Sequence, residues 1–283
     1  MIRLAVMKAL EGRAGIVTGA GRGIGRAIAL ALAGEGARLV LVSRTQTELE
    51  ETEKLILSAG GAARIMAADV SQPDTAGRAV EACGEFFGSV DILVNSAGII
   101  GPIGPVEEAS LHDWRRTIDI NLTATFLFIK AVLPIMKKQK RGKIINLSGG
   151  GASAGFPLHA AYAAAKVAIV RLTETVAMEV IDHNIQVNAI APGTVNTRIF
   201  EEMLAAGPRG GEADYIRLQE QKKSGGVPPE KAAQLAVFLA SDAAGALSGR
   251  LVSAVWDKWQ SWSADDLRRI QSGEMLQLRR LTG

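Results

Sequence analysis

Short runs of apolar and β-branched residues alternate with longer helical stretches along almost the whole chain, and this alternation limits the possible fold most strongly. Runs with the apolar content of strands covered on both faces occur at 14–19, 37–43, 62–68, 90–96, 142–148 and 185–191. Helices are expected between them, at about 23–35, 45–59, 73–88, 110–138 and 158–182. This spacing predicts right-handed βαβ units and a doubly wound parallel sheet. The competing α/β fold is a closed barrel, which needs eight such units.

All of residues 1–283 are expected to form a single domain. A helix at about 229–240 and a last strand at about 249–256 return the chain to the sheet. The segment before them, 198–227, is rich in Gly, Pro and charge, and it predicts an irregular lid over a substrate. Residues 257–283 form a C-terminal extension.

Three tryptophans at three-residue spacing mark the start of this extension: Trp256, Trp259 and Trp262. Stacking of these rings against a sugar or an aromatic substrate is one interpretation. Tryptophans clustered near a terminus are more typical of packing or of subunit contacts.

Charge and composition exclude several classes of function. The formal net charge is +3, from 32 basic and 29 acidic side chains, and without a long Lys/Arg run we expect no nucleic-acid partner. Lys130 and Pro134 interrupt the most apolar helix, so no membrane span is expected. Cys83 is the only cysteine, which excludes an internal disulfide and a multi-cysteine metal site. We expect no metal and a reducing, cytoplasmic location.

A glycine-rich turn follows the first strand. Gly19, Gly23 and Gly25 lie where the chain enters the first helix, with Ile24 between the last two. Glycines at such a turn let the backbone approach a pyrophosphate, which the free N–H groups of the helix N-terminus favour. The strand before and the helix after this turn indicate nucleotide binding.

The end of the second strand bears on the choice of nicotinamide cofactor. An acidic residue there would bind the ribose 2′-hydroxyl, but this chain has Ser43 followed by Arg44, and Arg22 in the glycine turn can reach the same place. Two guanidinium groups without a carboxylate favour NADP(H), and NAD(H) stays possible.

A tyrosine and a lysine four residues apart suggest proton transfer. Tyr162 and Lys166 share one face of a predicted helix. A free tyrosine has a pKa of about 10, so a neighbouring ammonium that stabilises the phenolate would help it exchange protons at neutral pH.

Together with further motifs, these residues resemble the short-chain dehydrogenase/reductase family. The motifs follow in family order from residue 14 to about 255: Thr-Gly-x-x-x-Gly-x-Gly at 18–25, Asp69-Val70, Asn95-Ser96-Ala97-Gly98, Asn121, Tyr162-x-x-x-Lys166 and Pro192-Gly193. The resemblance implies a Rossmann-type sheet and an oxidoreductase that uses a nicotinamide cofactor.

The resemblance also implies a role for individual residues. It makes Tyr162 the proton donor and acceptor, gives Lys166 a contact with the nicotinamide ribose, and gives Asn121 a water of the proton relay. The expected cofactor contacts are Gly19, Arg22, Gly23, Ile24, Gly25, Ser43, Arg44, Asp69, Val70, Asn95, Ala97, Gly98, Tyr162, Lys166, Pro192, Gly193, Val195 and Thr197.

The chain departs from the family at the catalytic serine, which usually lies 13 residues before the tyrosine. Gly149 occupies that position. Ser148 lies one residue earlier and on a regular strand would face the opposite side. The glycines at 149–151 could bend the backbone to re-aim Ser148, to bring Ser153 into place, or to offer a backbone N–H. Ser148 is kept as the candidate catalytic serine, and His159 is expected at the surface or lining the pocket.

These features predict an NADPH-dependent carbonyl reductase, or in reverse an alcohol dehydrogenase, for β-ketoacyl, sugar or cyclic ketone substrates. The alternatives are a nicotinamide-assisted isomerase or dehydratase and an NADP(H)-binding protein without turnover. The resemblance implies a homotetramer or homodimer through helices 110–138 and 158–182. Residues 1–6 carry no signal peptide and are expected to be dispensable.

Overall fold

The computed structural model describes residues 8–273 and 275–278, so the prediction about residues 1–6 lies outside the described part of the chain. Within it, one parallel sheet has the strand order β3-β2-β1-β4-β5-β6-β7. The strands are β1 Ala14–Thr18, β2 Arg38–Ser43, β3 Ala62–Ala67, β4 Ile92–Asn95, β5 Gly142–Leu147, β6 Ile185–Ala191 and β7 Leu251–Ser253. The open sheet confirms the doubly wound fold and excludes the barrel.

Helices cover both faces of the sheet. They are α1 Gly23–Gly34, α2 Gln46–Ser58, α3 Thr75–Phe87, α4 Leu111–Ile118, α5 Ala124–Gln139, α6 Ala160–Glu179, α7 Arg198–Ala205, α8 Glu212–Ser224, α9 Pro229–Ala240 and α10 Ala264–Ser272. One core includes buried residues of α1, α2 and α9, and the other includes those of α3, α5 and α6. β1 is buried over its whole length because helices cover both of its sides.

The order of the strands reverses between β1 and β4. From β1 the chain builds outward through β2 and β3, and then it crosses back to place β4 on the other side of β1. The loops after β1 and β4 therefore diverge at the carboxyl ends of these two strands. A crevice opens there, which is where open α/β sheets bind their ligands.

The predicted helix 110–138 is divided into α4, a π-helical turn at Asp119–Thr123 and α5. The combined stretch Leu111–Gln139 is long and apolar enough to cross a membrane. That observation is weak, since the core helix of a soluble protein passes the same test. Here Phe128, Val132 and Met136 are fully buried in the core of the domain.

The segment 198–227, predicted to be irregular, instead contains α7 and α8. Gly211, with φ of +103°, precedes α8, and Gly225, with φ of +87°, ends it. Gln221 on α8 donates hydrogen bonds to the Thr194 carbonyl at 2.9 Å and to Asn196 Oδ1 at 2.7 Å. The glycines and prolines thus mark the ends of short helices, and Gln221 attaches this helical pair to the loop after β6.

Two of the three tryptophans near the C-terminus pack inside the protein. The Trp259 ring lies 5.5 Å from the Phe238 ring of α9, and Trp262 meets the same ring edge-on at 6.3 Å. Trp256 is 85% exposed. Packing is therefore the role of Trp259 and Trp262.

Candidate active site

A cleft of about 860 Å³ lies at the carboxyl ends of the strands. Most of the residues predicted from the sequence line it: Gly19, Arg22, Gly23, Ile24, Gly25, Ser43, Arg44, Asp69, Val70, Ala97, Gly98, Ser148, Tyr162, Lys166, Pro192, Gly193, Val195 and Thr197. Asn95 and Asn121 are not among the lining residues. In the described part of the chain, no group of three or more His, Cys, Asp or Glu side chains could hold a metal ion.

The glycine turn between β1 and α1 leaves no room for a side chain at Gly25. Gly23 has φ of +55°, and a Cβ at Gly25 would lie 2.2 Å from the Gly19 carbonyl oxygen. Arg22 is the N-cap of α1, but its side chain caps no helix N–H. The first N–H groups of α1 therefore stay available beside a bare backbone, which fits the pyrophosphate of a dinucleotide.

Asn95 supports the cleft from below. Its side chain is buried and donates to Asn146 Oδ1 at 2.9 Å, and Asn146 donates in turn to Thr173 Oγ1 on α6 at 2.9 Å. The loop above is held by Thr18, whose Oγ1 accepts hydrogen bonds from the N–H groups of Ser96 and Ala97. The sequence identified this loop, but Asn95 ties β4 to β5 and α6 beneath it.

Asn121 has a similar position behind the cleft. It lies in the π-helical turn, fully buried, and its side chain pairs with both backbone groups of Ile99 at 2.9 Å. A Cβ at Gly98 would lie 3.0 Å from Asn121 Oδ1. Asn121 thus fixes the loop after β4 against the α4–α5 junction.

Asp69 is held by its own turn. Its Oδ1 accepts hydrogen bonds from the Ser71 N–H at 2.9 Å and the Ser71 hydroxyl at 2.7 Å. Burial opposes ionisation, but these two bonds and the charges of Arg44 and Arg116 hold the pKa of Asp69 below its usual value. The carboxylate is therefore a fixed negative charge at the edge of the cleft.

Tyr162 and Lys166 are both buried on α6, as the sequence spacing predicts. Lys166 Nζ lies 5.4 Å from the centroid of the Tyr162 ring and donates to the Leu147 carbonyl at 2.8 Å. Burial raises the pKa of Tyr162 to about 12 and lowers that of Lys166 to about 8. The sequence led us to expect a lowered pKa for the phenol, whereas burial raises it, so Tyr162 stays protonated at neutral pH.

The glycine run at 149–151 faces Tyr162 and α6. A Cβ at Gly149 would lie 3.0 Å from Tyr162 Oη. Gly151 has φ of +85°, and a Cβ there would lie 2.6 Å from Ala163 Cβ. Position 149 therefore points at the phenol, and Gly151 permits the close approach of the loop to α6.

Ser148 lines the cleft, but its hydroxyl is directed to α6. Its Oγ is buried and donates to the Lys166 carbonyl at 3.1 Å, so the hydroxyl is used to anchor α6. Ser153 also lines the cleft and is exposed. In the described part of the chain, the N–H groups of Gly149, Gly150 and Gly151 donate to no acceptor.

The prediction that His159 lies at the surface or lines the pocket was wrong. The residue is buried and is absent from the cleft lining. One ring nitrogen, Nδ1, lies 2.8 Å from the Pro157 carbonyl, and the ring stacks on Phe156 at 4.2 Å. His159 thus supports Phe156, which itself lines the cleft.

A carboxylate that sequence reasoning missed lies beside the two arginines. Glu48 of α2 lines the cleft, and its Oε1 accepts a hydrogen bond from Arg22 Nη1 at 2.8 Å. The inference that this corner has no carboxylate was therefore wrong. Glu48 lies five residues beyond Ser43, in the first turn of α2, and this position after the second strand was the available signal.

Residues of α7 and α8 line another part of the cleft together with Phe156. Four of them are apolar and four are polar or charged: Ile199, Phe200, Met203 and Leu218, and Arg198, Glu202, Arg217 and Gln221. The sequence identified 198–227 as a lid but did not identify these residues, because their pattern is short and interrupted by glycines.

Comparisons with known proteins agree with this geometry. The family model for short chain dehydrogenases matches residues 13–206. The 3beta-hydroxysteroid dehydrogenase 1 of Eggerthella lenta is 39% identical over 242 residues, which cover 85% of this chain and 91% of the relative.

Two solved structures are similar over nearly their whole length. NAD⁺-bound xylitol dehydrogenase has a TM-score of 0.81 and 30% identity, covering 87% of this chain and 98% of the other. A protein assigned as an NAD(P)-dependent gluconate 5-dehydrogenase from Beutenbergia cavernae, with NADP bound at low occupancy, has a TM-score of 0.78 and 34% identity, covering 88% and 97%. The chain belongs to the short-chain dehydrogenase family and is a nicotinamide-dependent oxidoreductase acting on CH–OH and C=O groups.

Proposed function

We propose that this protein is an NADPH-dependent carbonyl reductase, which in reverse oxidises a secondary alcohol. The proposal depends on one observation above all: the buried Tyr162 phenol, whose pKa of about 12 keeps it protonated, lines the same cleft as the glycine turn 19–25. In the direction of reduction, the reaction needs a proton donor beside a carbonyl oxygen.

Residues in and around the glycine turn 19–25 would hold the cofactor. The α1 N-terminus and the turn 19–25 suit the pyrophosphate, and the resemblance gives Asp69 and Val70 the adenine and Lys166 the nicotinamide ribose. Arg22, Arg44 and Ser43 suit a ribose 2′-phosphate. Glu48 pairs with Arg22, but the two guanidinium groups still outnumber the one carboxylate, which is why we propose NADP(H). When bound, the nicotinamide supplies or accepts the hydride.

Tyr162 then moves the proton. Its Oη gives a proton to the carbonyl oxygen during reduction and takes one back during alcohol oxidation. Lys166, whose pKa of about 8 leaves it mostly cationic at pH 7, stabilises the negative charge that Tyr162 acquires. Ser148 and the Leu147 carbonyl hold the α6 backbone and the Lys166 ammonium in place.

A second hydrogen-bond donor to the substrate oxygen would come from elsewhere than position 148. Since the Ser148 hydroxyl is already used, two sources are open: the N–H groups of the glycine run and the hydroxyl of Ser153. Either would help polarise the carbonyl, as an oxyanion hole does.

The apolar part of the lining supports one substrate class. Phe156, Phe200 and Met203 would bury a hydrocarbon body, and the polar side chains of Arg217 and Gln221 in the same cleft could bind polar groups on it. We propose a cyclic ketone with a largely apolar body. The hydroxysteroid named for the Eggerthella lenta relative belongs to the same chemical class.

The exposed apolar side chains on the long helices support a homo-oligomer. Phe126 of α5 is 46% exposed, and Met178 of α6 is 78% exposed. We propose that α5 and α6 form subunit contacts in which these apolar side chains are covered.

A panel of cyclic ketones, β-ketoacyl thioesters and ketoses, assayed with NADPH and with NADH, tests the function. We expect NADPH consumption with the cyclic ketones and tighter binding of NADPH than of NADH in fluorescence titrations. Conversion without net cofactor oxidation would indicate an isomerase or dehydratase, and binding without turnover would indicate a non-catalytic protein. Equal affinities would refute the NADPH preference.

A further inference from the structure

Glu48 occupies the corner of the cleft that the two arginines would offer to a ribose 2′-phosphate. Its Oε1 lies 2.8 Å from Arg22 Nη1, and the Glu48 side chain is 28% exposed. A Cβ at Gly21 would lie 3.2 Å from Glu48 Oε2 and 2.9 Å from Ser43 Oγ. Three groups therefore lie near one another beside the glycine turn: the Glu48 carboxylate, the Arg22 guanidinium and the Ser43 hydroxyl.

The side chains of Thr52 and Arg26, rather than the Glu48 carboxylate, hold the first turn of α2 in place. Thr52 Oγ1 is buried and donates to the Ala20 carbonyl at 3.1 Å. Arg26 Nη2 donates to the Gly21 carbonyl at 2.5 Å and to the Glu48 carbonyl at 3.3 Å. These bonds hold the first turn of α2 against the glycine turn, so replacing the Glu48 carboxylate would leave the geometry of the corner intact.

Ser43 adds an independent sign that this corner receives a ligand. Its Oγ is buried and has no hydrogen-bond partner in the described part of the chain. A buried hydroxyl without a partner is uncommon, and since Ser43 lines the cleft, a bound ligand or water there could satisfy it. The same corner lines the cleft with Arg44, so a polar ligand atom there would meet a hydroxyl and two guanidinium groups.

Charge decides what Glu48 does to such a ligand. A ribose 2′-phosphate would have to compete with the carboxylate for Arg22 and would be repelled by it at short range. A neutral 2′-hydroxyl imposes neither cost, and the Arg22–Glu48 pair can persist beside it. Glu48 therefore acts selectively against the phosphorylated cofactor.

We propose that Glu48 is a selectivity residue, which engages Arg22 and so weakens the binding of NADP(H) relative to NAD(H). The inference rests on the cofactor subsite of the proposed function, but it concerns the ratio of the two affinities rather than which cofactor wins. The Glu48 carboxylate and the 2′-phosphate of the ligand compete for the same Arg22 guanidinium.

The test compares Glu48→Gln with Glu51→Gln. Glu51 is on the same helix, pairs with Arg26 at 2.7 Å and does not line the cleft, so it is the matched control. Dissociation constants for NADPH and NADH are measured by fluorescence titration at low and high salt, with thermal unfolding to verify folding. We expect Glu48→Gln to lower the Kd of NADPH about tenfold and to change that of NADH less than about threefold. Glu51→Gln should change neither.

A double-mutant cycle locates the effect. In an Arg22→Ala background, Glu48→Gln should tighten NADPH binding much less than it does in the wild type, since competition for the guanidinium is gone and only the direct repulsion of the phosphate remains. An unchanged ratio of affinities in Glu48→Gln, or a gain of the same size without Arg22, would overturn the proposal. A wild-type preference for NADH would refute the proposed cofactor and would still leave the effect of Glu48 measurable.

Discussion

Gly149 lies opposite the phenol of Tyr162, so close that a Cβ on it would be 3.0 Å from Tyr162 Oη. This is the position at which the family usually has its serine. The backbone therefore directs a side chain at position 149 toward the reacting tyrosine, and in this chain that side chain is missing. The site lacks one hydroxyl rather than a whole arrangement.

Restoring the hydroxyl should increase ketone reduction. In Gly149→Ser, the new Cβ needs a small shift of Tyr162, and the Oγ that it carries is directed to the place where the substrate oxygen would lie beside the phenol. Since the loss of one such donor costs about 10²–10³ in turnover elsewhere, we expect kcat/KM for a reducible ketone to rise by at least about tenfold. Steady-state kinetics at saturating NADPH measures it.

Gly149→Ala is the control for that change, because it adds the Cβ without a hydroxyl. Its methyl group would crowd Tyr162 Oη, so we expect no gain and a modest loss. If Gly149→Ser and the wild type reduce ketones equally well, a donor from the glycine run or Ser153 already serves the substrate oxygen.

Ser148→Ala should affect stability more than catalysis. The Ser148 hydroxyl donates to the Lys166 carbonyl, and losing such a buried bond costs about 1 kcal/mol of unfolding free energy. We expect a lower urea midpoint with turnover within about threefold of the wild type. A hundredfold loss of turnover with unchanged NADPH affinity would instead show that Ser148 turns toward the substrate.

The sequence predicted the parts of this site that depend on backbone geometry. The turn 19–25 needs glycine because a Cβ at Gly25 would meet the Gly19 carbonyl, and helical spacing places Tyr162 and Lys166 on the same face of α6. Such constraints act between residues close in sequence, so they can be read from a single chain. The open sheet followed from strand and helix alternation for the same reason.

Contacts between distant residues were not predictable in this way. Glu48 meets Arg22 only because Thr52 and Arg26 bind α2 to the glycine turn. Asn95 belongs to a hydrogen-bond chain across β5, where the sequence alone suggested a cofactor contact. The raised pKa of Tyr162 likewise depends on how deeply the fold buries the phenol.

Tyr162→Phe should abolish reduction while cofactor affinity stays within about twofold, because it removes the proton donor and almost no volume. In the wild type the phenol stays protonated up to about pH 12, so its ionisation should give no fall in reduction rate between pH 6 and 9. Any fall in that range should come from Lys166, which loses its charge above its pKa of about 8. Stopped-flow single turnovers across that range measure the rate. Residual reduction above about 1% in Tyr162→Phe would contradict the assigned role.

Trp259→Ala should destabilise the domain without changing the active site. Trp259 is buried against Phe238, and truncating a buried tryptophan typically costs about 3–5 kcal/mol. Trp256→Ala is the matched control, since its exposed ring should contribute less than about 0.5 kcal/mol. Urea unfolding gives both values. Equal stabilities of the two variants would show that the extension does not strengthen the fold.

The buried titratable groups predict that stability rises with pH between about 8 and 10. Burial lowers the pKa of Lys143 and of Lys166 to about 8, from 10.5. Between these values the unfolded chain holds protons that the folded chain has released, so each lysine adds at most about 1.4 kcal/mol of stability per pH unit. Burial raises the pKa of Cys83 from 9.0 and of Tyr162 from 10.0, both to about 12, so these two groups oppose the rise above pH 9 and 10 respectively. The increase should therefore be steepest between pH 8 and 9 and end near pH 10, which urea unfolding at half-unit intervals would measure.

Lys143→Met, away from the cleft, should remove about half of the rise in stability between pH 8 and 9 and leave turnover unchanged. A wild-type stability profile that is flat from pH 8 to 9 would contradict the assignment of the rise to the two buried lysines.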